Sequence, residues 1–451
     1  MKKILVYMSF AGLLGLTACD KQLEQLDPQQ IDASLAFSTS EKVKQNLIGA
    51  YASFGTGSLF GGDVLWMSEL MASNGEVTWT GTFPDPRQIW GKSILVNNSY
   101  VRSTYQNAYM TIAALNNILF YLDVVDETDR GVVEGETKFL RAMLYFELVK
   151  FFGEKSYSAG NPAALMGVPL VVDPRPASPT SEENHVPRST VEQVYTQILA
   201  DLTDAENLLP ADNDFYANKP SAALALARVH LQMLDYTAAR DAANRCITAA
   251  TGAGFSLVGE FEDEFNTSSN TSEDLFAMQV NTQTGSNSNQ TYYSTPTYGA
   301  RDGDIQINEA HLDLYSPVDV RGDFFFTEGG SVFTNKWRDQ YMNVKVMRLA
   351  EAYLTRAECN ARLGTSVGAT VALDLARTRT RAGLPVLAAP GLGEVLTERR
   401  LELAFEGQAF ADAKRLRLIV DGLEYDSPKM VFPIPQRETN IYDIAQNPGY
   451  F

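Results

Sequence analysis

Two alanine-rich helical segments joined by only two residues constrain this 451-residue chain more than any other feature. Apolar residues recur every three or four positions over 221–234 and again over 237–250, which places them on one face of each helix. Only Asp235 and Tyr236 separate the segments, and so short a connection makes consecutive helices pack antiparallel. The small residues that allow close approach are Ala223, Ala227, Ala239, Ala242 and Ala243. The pattern predicts a helical hairpin.

A second hairpin and several single helices extend this pattern along the chain. Segments 344–363 and 366–381 have the same apolar spacing, and Gly364 and Thr365 separate them. Further helices are predicted at 105–122, 136–152, 190–209, 394–405 and 408–420. Helix pairs that repeat over about 34 residues are typical of tetratricopeptide units. The sequence therefore predicts a mainly α-helical fold with a tetratricopeptide-like scaffold of helical hairpins.

Two long stretches lack helix periodicity and divide the chain into regions. Residues 54–98 are rich in Gly, Asn, Thr and Pro, and residues 251–339 have a similar composition. Segments of this length without regular structure are usually functional or disordered, and their aromatic content favours order. We expect an N-terminal helical region at 31–250 with a loop insert at 54–98, a loop-rich ligand-binding region at 251–339 and a C-terminal helical region at 340–451.

The aromatic residues of these irregular stretches are candidate ligand-binding residues. An aromatic ring in a polar loop is costly to leave in water, so it either contacts a ligand or packs the loop onto the scaffold. A sugar suits such a ring because its apolar C–H face stacks on aromatic planes while polar side chains bind its hydroxyls. The candidates are Trp66, Trp79, Arg87 and Trp90 in the first stretch and Tyr292, Tyr293 and Tyr298 in the second. Packing onto the scaffold remains the alternative for each ring, and Trp337 is assigned to the core.

The N-terminus has the features of an export signal. Lys2 and Lys3 precede a short apolar run that ends near Leu16, too short to span a membrane. The following Leu16-Thr17-Ala18-Cys19 resembles a bacterial lipobox, in which the cysteine is acylated and becomes the first residue after cleavage. We therefore predict a signal peptide at 1–18, lipidation of Cys19 and a polar tether at 19–30. The alternative is a plain secretory signal in which Cys19 is incidental.

Charge and composition exclude several functional classes. Lys and Arg number 37 against 55 Asp and Glu, a formal charge of −18 that disfavours nucleic-acid binding. Three histidines without ligand-like spacing predict no metal site, and no cofactor motif is present. Cys246 and Cys359 lie in apolar helical patterns, where buried free thiols are favoured over a disulfide.

Three carboxylates with helical spacing are the clearest candidates for catalytic acids. Glu398, Glu402 and Glu406 follow one another at intervals of four beside Arg399 and Arg400. A glycosidase needs two carboxyl groups about 5–10 Å apart across a cleft, whereas this spacing favours structural ion pairs. The sequence selects no catalytic dyad.

Several segments together resemble the SusD/RagB family of outer-membrane lipoproteins from Bacteroidetes. Besides the lipobox, they are Phe139-Leu140-Arg141-Ala142, Tyr145-Phe146-Glu147-Leu148, Gly167-Val168-Pro169-Leu170, Arg348-Leu349-Ala350-Glu351-Ala352-Tyr353-Leu354, Glu398-Arg399-Arg400-Leu401-Glu402-Leu403-Ala404-Phe405-Glu406-Gly407, Phe432-Pro433-Ile434-Pro435 and Asn447-Pro448-Gly449-Tyr450. They occur in the family's order and span nearly the whole chain. Gln408-Ala409 departs from the family pattern, which often has a basic residue there.

The resemblance implies a non-catalytic, lipid-anchored nutrient-binding protein at the cell surface. It implies helical pairs that support an irregular ligand-binding region, and a SusC-like TonB-dependent transporter as the partner. Oligosaccharides are the implied cargo, and the RagB branch makes peptides an alternative. A surface glycoside hydrolase is the competing class. The family motifs lie on scaffold helices and do not identify the ligand.

Overall fold

The computed structural model describes residues 33–174, 185–284 and 287–450. The predicted signal peptide, Cys19 and the tether lie outside the described residues. The helices are α1 (Ala33–Ala36), α2 (Ser40–Phe54), α3 (Asp63–Ala72), α4 (Pro84–Trp90), α5 (Ser99–Phe120), α6 (Glu127–Phe152), α7 (Val191–Leu208), α8 (Lys219–Met233), α9 (Tyr236–Gly252), α10 (Ser288–Tyr293), α11 (Glu309–Leu312), α12 (Leu349–Leu363), α13 (Val371–Arg381), α14 (Leu392–Glu402), α15 (Ala409–Arg415) and α16 (Gln436–Tyr442). The strands are β1 (Val77–Trp79), β2 (Met166–Pro169), β3 (Arg188–Thr190), β4 (Asp274–Met278), β5 (Ile305–Ile307), β6 (Phe325–Glu328), β7 (Ser331–Thr334) and β8 (Val344–Arg348).

The predicted hairpin of α8 and α9 is confirmed, and its ends have identifiable caps. The Asn218 side chain accepts from the backbone N–H of Ser221 at the start of α8, and the Asp235 side chain accepts from Ala238 at the start of α9. Leu234, between the helices, has a left-handed backbone with a φ of 61°. The chain therefore reverses within two residues, as the spacing requires.

Most of the long helices stack on one another in chain order. Helix α6 packs between α5 and α7, α7 contacts α8, α8 contacts α9, and α9 contacts α12, which packs against α13 and α14. The apolar faces of α5 to α9 join one large hydrophobic core, and α12, α13 and α14 share a smaller cluster that includes Leu354, Leu375 and Val395. The mainly α, tetratricopeptide-like fold is confirmed.

Two sequence predictions about secondary structure are wrong. Residues 344–348 form a strand rather than the start of a helix, because they pair antiparallel with β4 and are buried on both sides. The stretch 54–98 contains two helices and a strand. Helix α3 is buried on nearly every side, so its sequence has no amphipathic period to detect.

A small antiparallel sheet brings the two irregular stretches together. Its strand order is β1-β5-β7-β6, so residues 77–79 pair directly with 305–307. Segments separated by more than 200 residues in sequence thereby form one surface. This sheet positions the candidate site described below.

The remaining core predictions are also settled by the structure. Cys246 and Cys359 are free, buried thiols, and burial raises the thiol pKa of both. Trp337 is fully buried, and its indole N–H donates to the Phe405 carbonyl at 2.8 Å. Within the described ranges, no helix combines the length and apolar character needed to cross a membrane.

Candidate functional site

Three predicted site residues form a buried aromatic cluster rather than an open stacking surface. Trp66, Trp79 and Tyr292 lie with ring centroids 5.0–6.3 Å apart, and the indoles of Trp66 and Trp79 are 0% and 1% exposed. The Trp66 N–H donates to Asp63 at 3.0 Å, and the Trp79 N–H donates to the Phe83 carbonyl at 3.2 Å. In this structure neither indole offers an exposed face to a sugar. They join α3, β1 and α10.

Tyr293 is also a core residue, and the buried Tyr292 contacts a half-buried neighbour. The Tyr293 ring is fully buried 5.8 Å from the Phe405 ring and has no exposed face in this structure. The Tyr292 hydroxyl lies 2.5 Å from the hydroxyl of the half-buried Tyr100. Tyr292 therefore supports surface residues from below.

Arg87 and Trp90 remain near solvent on α4. The exposed Arg87 guanidinium donates to the Gly81 carbonyl at 2.6 Å, which fixes the loop after β1. Trp90 is half-buried, and its N–H donates to the Val77 carbonyl at 3.0 Å. Each side chain therefore donates a hydrogen bond to a backbone carbonyl and still has part of its surface exposed to solvent.

Tyr298 is the most exposed of the three predicted tyrosines. Its side chain is 36% exposed, its ring meets Phe326 edge-on at 5.2 Å, and the Arg338 guanidinium lies 5.3 Å from its centroid. Two hydrogen bonds hold the preceding turn, because Thr295 and Thr297 both donate to the Glu328 carboxylate, at 2.7 and 3.0 Å. The ring is therefore presented on a fixed turn.

A second arginine–aromatic pair lies on the other arm of the same loop. The Arg301 guanidinium stacks 3.8 Å from the ring centroid of Phe83, donates to Asp304 at 2.9 Å and reaches Thr82 at 3.3 Å. Burial raises the pKa of Asp304, and Arg301 opposes this effect. Phe83 and Arg301 are both half-buried.

The loop that carries Tyr298 and Arg301 links the two pairs, and it contacts Phe333 at Gly303. Phe333 on β7 is buried beneath Phe326, with ring centroids 5.4 Å apart, and it also packs against Gly303. Gly303 has a φ of 69°, and a Cβ there would lie 2.5 Å from the Phe333 ring, so only glycine fits. We call the set Phe83, Tyr298, Arg301, Phe326 and Arg338 the aromatic–arginine surface. Sequence reasoning missed all of it except Tyr298.

The chemistry of this surface suits a ligand with apolar faces and a hydroxylated rim. Half-exposed rings provide stacking planes, and guanidinium N–H groups are fixed donors with no accepting capacity. Among the described residues, Arg87 and Arg338 have no carboxylate within ion-pair distance. Exposed Asp302 and Asp339 lie nearby in sequence, so donors and acceptors are both present.

The carboxylates predicted to pair are structural. Glu398 contacts Arg321 at 2.8 Å, Glu402 contacts Arg381 at 2.5 Å, and Glu406 is paired as well. The ion pairing is confirmed, but the partners are not Arg399 and Arg400. All three carboxylates are buried.

In the part of the chain that the structure describes, no group of three or more His, Cys, Asp or Glu side chains is close enough to hold an ion.

Comparisons with known proteins agree along most of the chain. A family model described as "Starch-binding associating with outer membrane" matches residues 22–231, and a model described as "SusD family" matches residues 266–427. SusD-like protein P2 of Formosa agariphila is 24% identical, covering 97% of this chain and 95% of the relative.

Solved structures share the fold. A putative sugar binding protein from Bacteroides vulgatus has a TM-score of 0.81 at 23% identity, covering 92% of this chain and 99% of that chain. Surface glycan-binding protein A from Bacteroides uniformis has a TM-score of 0.74 at 20% identity, covering 91% of this chain and 99% of that chain. The matching family models, the full-length relative and the shared fold agree with the resemblance seen in the sequence, and the chain belongs to the SusD/RagB family.

Proposed function

We propose that this protein binds oligosaccharides at the aromatic–arginine surface and passes them to a SusC-like TonB-dependent transporter in the outer membrane. The observation that carries the proposal is the partly exposed ring of Tyr298 with the Arg338 guanidinium 5.3 Å from its centroid. A sugar can stack on the ring while a neighbouring hydroxyl accepts from the guanidinium. The protein is proposed to be a binding protein without catalytic activity.

The rigidity of the surface supports binding by a preformed site. Glu328 fixes the turn that bears Tyr298, and Asp304 orients Arg301. Side chains that are already ordered lose little conformational entropy when a ligand binds. Flat, partly exposed rings still bury little area, so we expect dissociation constants on the order of micromolar to millimolar.

The names of related proteins support the same ligand class. One matching family model is described as starch-binding and as associating with the outer membrane. One structural neighbour is named as a sugar binding protein and another as a surface glycan-binding protein. Membership of the SusD/RagB family is the basis for the proposed transporter and for outer-membrane attachment through Cys19.

Peptide cargo and glycoside hydrolysis are the alternatives. Guanidinium groups and aromatic rings also bind peptides, so the ligand screen includes short peptides as well as sugars. A hydrolase would release new reducing ends from a glycan. We expect none after prolonged incubation, whereas enzyme-dependent accumulation would contradict the proposed absence of catalysis.

Calorimetry on matched variants tests the site. Maltoheptaose is the first probe because of the family model's description, followed by a panel of neutral and uronic-acid oligosaccharides. We expect Tyr298→Ala and Arg338→Gln each to weaken binding about tenfold, the effect of losing about 1.4 kcal/mol. Phe120→Ala, which removes an exposed ring at the end of α5, is the control and should bind as the wild type does. Unchanged affinity in both site variants would place the glycan elsewhere.

A further inference from the structure

The loop between α13 and α14 lies at the surface but has no polar side chain. Its residues 382–391 are Ala-Gly-Leu-Pro-Val-Leu-Ala-Ala-Pro-Gly, and six of the ten are exposed, among them Val386 at 59%. Surface loops are ordinarily polar, and a run of exposed apolar residues usually marks an interaction site. We call residues 382–391 the apolar loop. It shares no residue with the aromatic–arginine surface, so the proposed glycan site does not explain it.

A neighbouring turn enlarges the apolar surface. Val318 and Val320, which follow α11, are 61% and 44% exposed. The Val320 N–H donates to the Ala382 carbonyl at 3.1 Å. Gly383 packs against the same turn, where a Cβ would lie 3.0 Å from the Val318 carbonyl oxygen. The apolar loop, Val318 and Val320 therefore form one surface, which we call the apolar face.

Hydrogen bonds and prolines hold the apolar loop in place. The Arg379 side chain donates to the Pro385 carbonyl at 3.1 Å, and its guanidinium lies 3.6 Å from the buried Glu398 carboxylate. The Leu384 N–H donates to the Arg379 carbonyl at 2.9 Å. Pro385 and Pro390 also restrict the backbone. A face that is already ordered loses little conformational entropy on binding, so it suits a docking role.

An acidic cleft adjoins the apolar face at Val320. It encloses about 240 Å³, and its floor contains Phe261 and the half-buried Phe324, whose rings meet edge-on with centroids 5.7 Å apart. The rim carries three exposed carboxylates, those of Glu260, Glu262 and Asp323. Among the residues that the structure describes, none of these three has a Lys, Arg or His at ion-pair distance. The rim therefore carries uncompensated negative charge.

The charge of this rim identifies the chemistry of the occupant. Arg321 and Arg381, on the adjoining segments, have side chains only 1% and 4% exposed, because each is enclosed in ion pairs. They therefore leave the exposed rim negative. A second copy of this chain would bring two acidic rims into one interface, and an anionic lipid surface would also be repelled. A basic polypeptide complements both the charge and the apolar area.

We propose that the apolar face docks a partner protein through a segment in which aliphatic side chains lie next to arginine or lysine. The aliphatic side chains cover the apolar loop and the two exposed valines. A basic side chain enters the cleft, where its stem lies over the half-buried Phe324 ring and its charged group meets the rim carboxylates. The apolar and the charged contacts can be removed separately.

The test measures binding of two fluorescein-labelled peptides to the full chain by fluorescence anisotropy. The arginine peptide has the sequence LVLVGRGR, and the citrulline peptide has neutral citrulline in place of both arginines. Val386→Ser should weaken both peptides about fivefold, because it removes aliphatic contact area that both use. The triple variant Glu260→Gln, Glu262→Gln and Asp323→Asn should weaken only the arginine peptide, about tenfold. Added salt should likewise weaken only the arginine peptide.

Two variants elsewhere on the surface are the matched controls. Ile48→Ser removes an exposed aliphatic side chain from α2, and Asp212→Asn removes an exposed carboxylate from the segment before α8. Both should bind the two peptides as the wild type does. Glycan affinity should not change in any of these variants, because the two surfaces share no residue.

Several results would overturn the proposal. One is no saturable binding of the arginine peptide to the wild type, and another is an equal effect of the triple variant on both peptides. Controls that weaken binding as much as the site variants would show that the attraction is nonspecific. A wild-type dimer in light scattering that Val386→Ser abolishes would assign the face to a second copy. Co-sedimentation with phosphatidylcholine vesicles that Val386→Ser abolishes would assign it to lipid.

Discussion

At the scale of single residues, solvent exposure distinguishes two roles of an aromatic ring. A buried ring packs in the protein core, whereas an exposed ring can contact a ligand. Trp66 is fully buried, whereas Tyr298 is open on one side. Truncating a buried tryptophan to alanine costs about 3–5 kcal/mol of unfolding free energy, and truncating a surface residue usually costs less than about 1 kcal/mol. Substituting Trp66 should therefore lower stability, whereas substituting Tyr298 should lower ligand affinity.

We predict that Trp66→Ala lowers the free energy of unfolding by about 3–5 kcal/mol, whereas Tyr298→Ala leaves it nearly unchanged and weakens ligand binding. The loss arises because the indole fills space between Trp79 and Tyr292 and bonds to Asp63. Urea denaturation followed by circular dichroism gives both values. A stable Trp66→Ala protein that had lost only ligand affinity would show that this indole contacts the ligand after all.

Asp63 gives a prediction about pH. Its carboxyl is buried at the start of α3, and burial raises its pKa from 3.8 to about 7, against the hydrogen bond from Trp66. Because the pKa is higher in the folded than in the unfolded state, the folded state binds the proton more tightly. The stability associated with this proton is complete below pH 4, is lost as the pH rises towards 7, and then stays constant.

We therefore expect Asp63→Asn to become progressively more stable than the wild type between pH 4 and pH 7. The difference should reach a few kcal/mol at most, because each pKa unit corresponds to about 1.4 kcal/mol. Asparagine can still accept from Trp66, so the substitution removes the charge and keeps the contact. Urea midpoints at pH 4, 5.5 and 7.5 measure the effect, and a difference independent of pH would show that Asp63 does not titrate in this range.

At the scale of elements, the long amphipathic helices could be predicted from sequence, whereas the strands and the helices α3 and α4 could not. The turn between α8 and α9 and their apolar faces are local features, so residues 221–250 are sufficient to identify them. Strand β8 depends on pairing with β4, about 70 residues away, and its apolar residues continue smoothly into α12. Only the partner strand decides between the two structures.

A buried ion-pair network links these elements, and Glu402 is at its centre. Arg321, Arg348 and Arg381 all donate to its carboxylate, at 3.1, 3.2 and 2.5 Å. The three guanidinium groups hold the pKa of Glu402 well below its usual range. Removing the negative charge leaves buried positive charges uncompensated, which is strongly destabilising.

We predict that Glu402→Gln lowers the free energy of unfolding by about 3–5 kcal/mol at pH 7. The effect should shrink as the pH falls below about 4, because a carboxylate with a depressed pKa stabilises the folded state only above the pKa of the unfolded chain. Exposed Glu424→Gln is the control and should change stability by less than about 0.5 kcal/mol. Equal stability of Glu402→Gln and wild type at pH 7 would mean that the network rearranges without cost.

At the scale of the whole molecule, the family could be identified from sequence, but the candidate surface could not. The matching motifs lie on buried scaffold, such as residues 139–152 of α6 and the ion-paired segment 398–407, where packing dictates residue type. Phe83, Arg301, Phe326 and Arg338 come from separate segments that are brought together by a sheet in which β5 pairs with β1 and β7, and β7 pairs with β6. No local pattern marks them. The sequence predicts the tryptophans of residues 54–98 as ligand-binding residues instead. Their position in an irregular stretch does not distinguish a ring that packs in the core from one that binds a ligand.

Attachment of the whole molecule to the membrane depends, in our proposal, on Cys19. We propose that acylation of Cys19 anchors the protein, and one acyl chain gives only marginal membrane binding whereas several give stable attachment. Cys19→Ala should therefore move the protein from the membrane fraction to the soluble fraction without changing its glycan affinity. Cys246→Ala is the matched control, since it removes a buried free thiol and should leave the protein in the membrane fraction. The measurement is ultracentrifugation of lysates from cells that lack the proposed transporter, because a transporter could retain an unanchored protein. Persistence of Cys19→Ala in the membrane fraction of such cells would contradict anchoring through this residue.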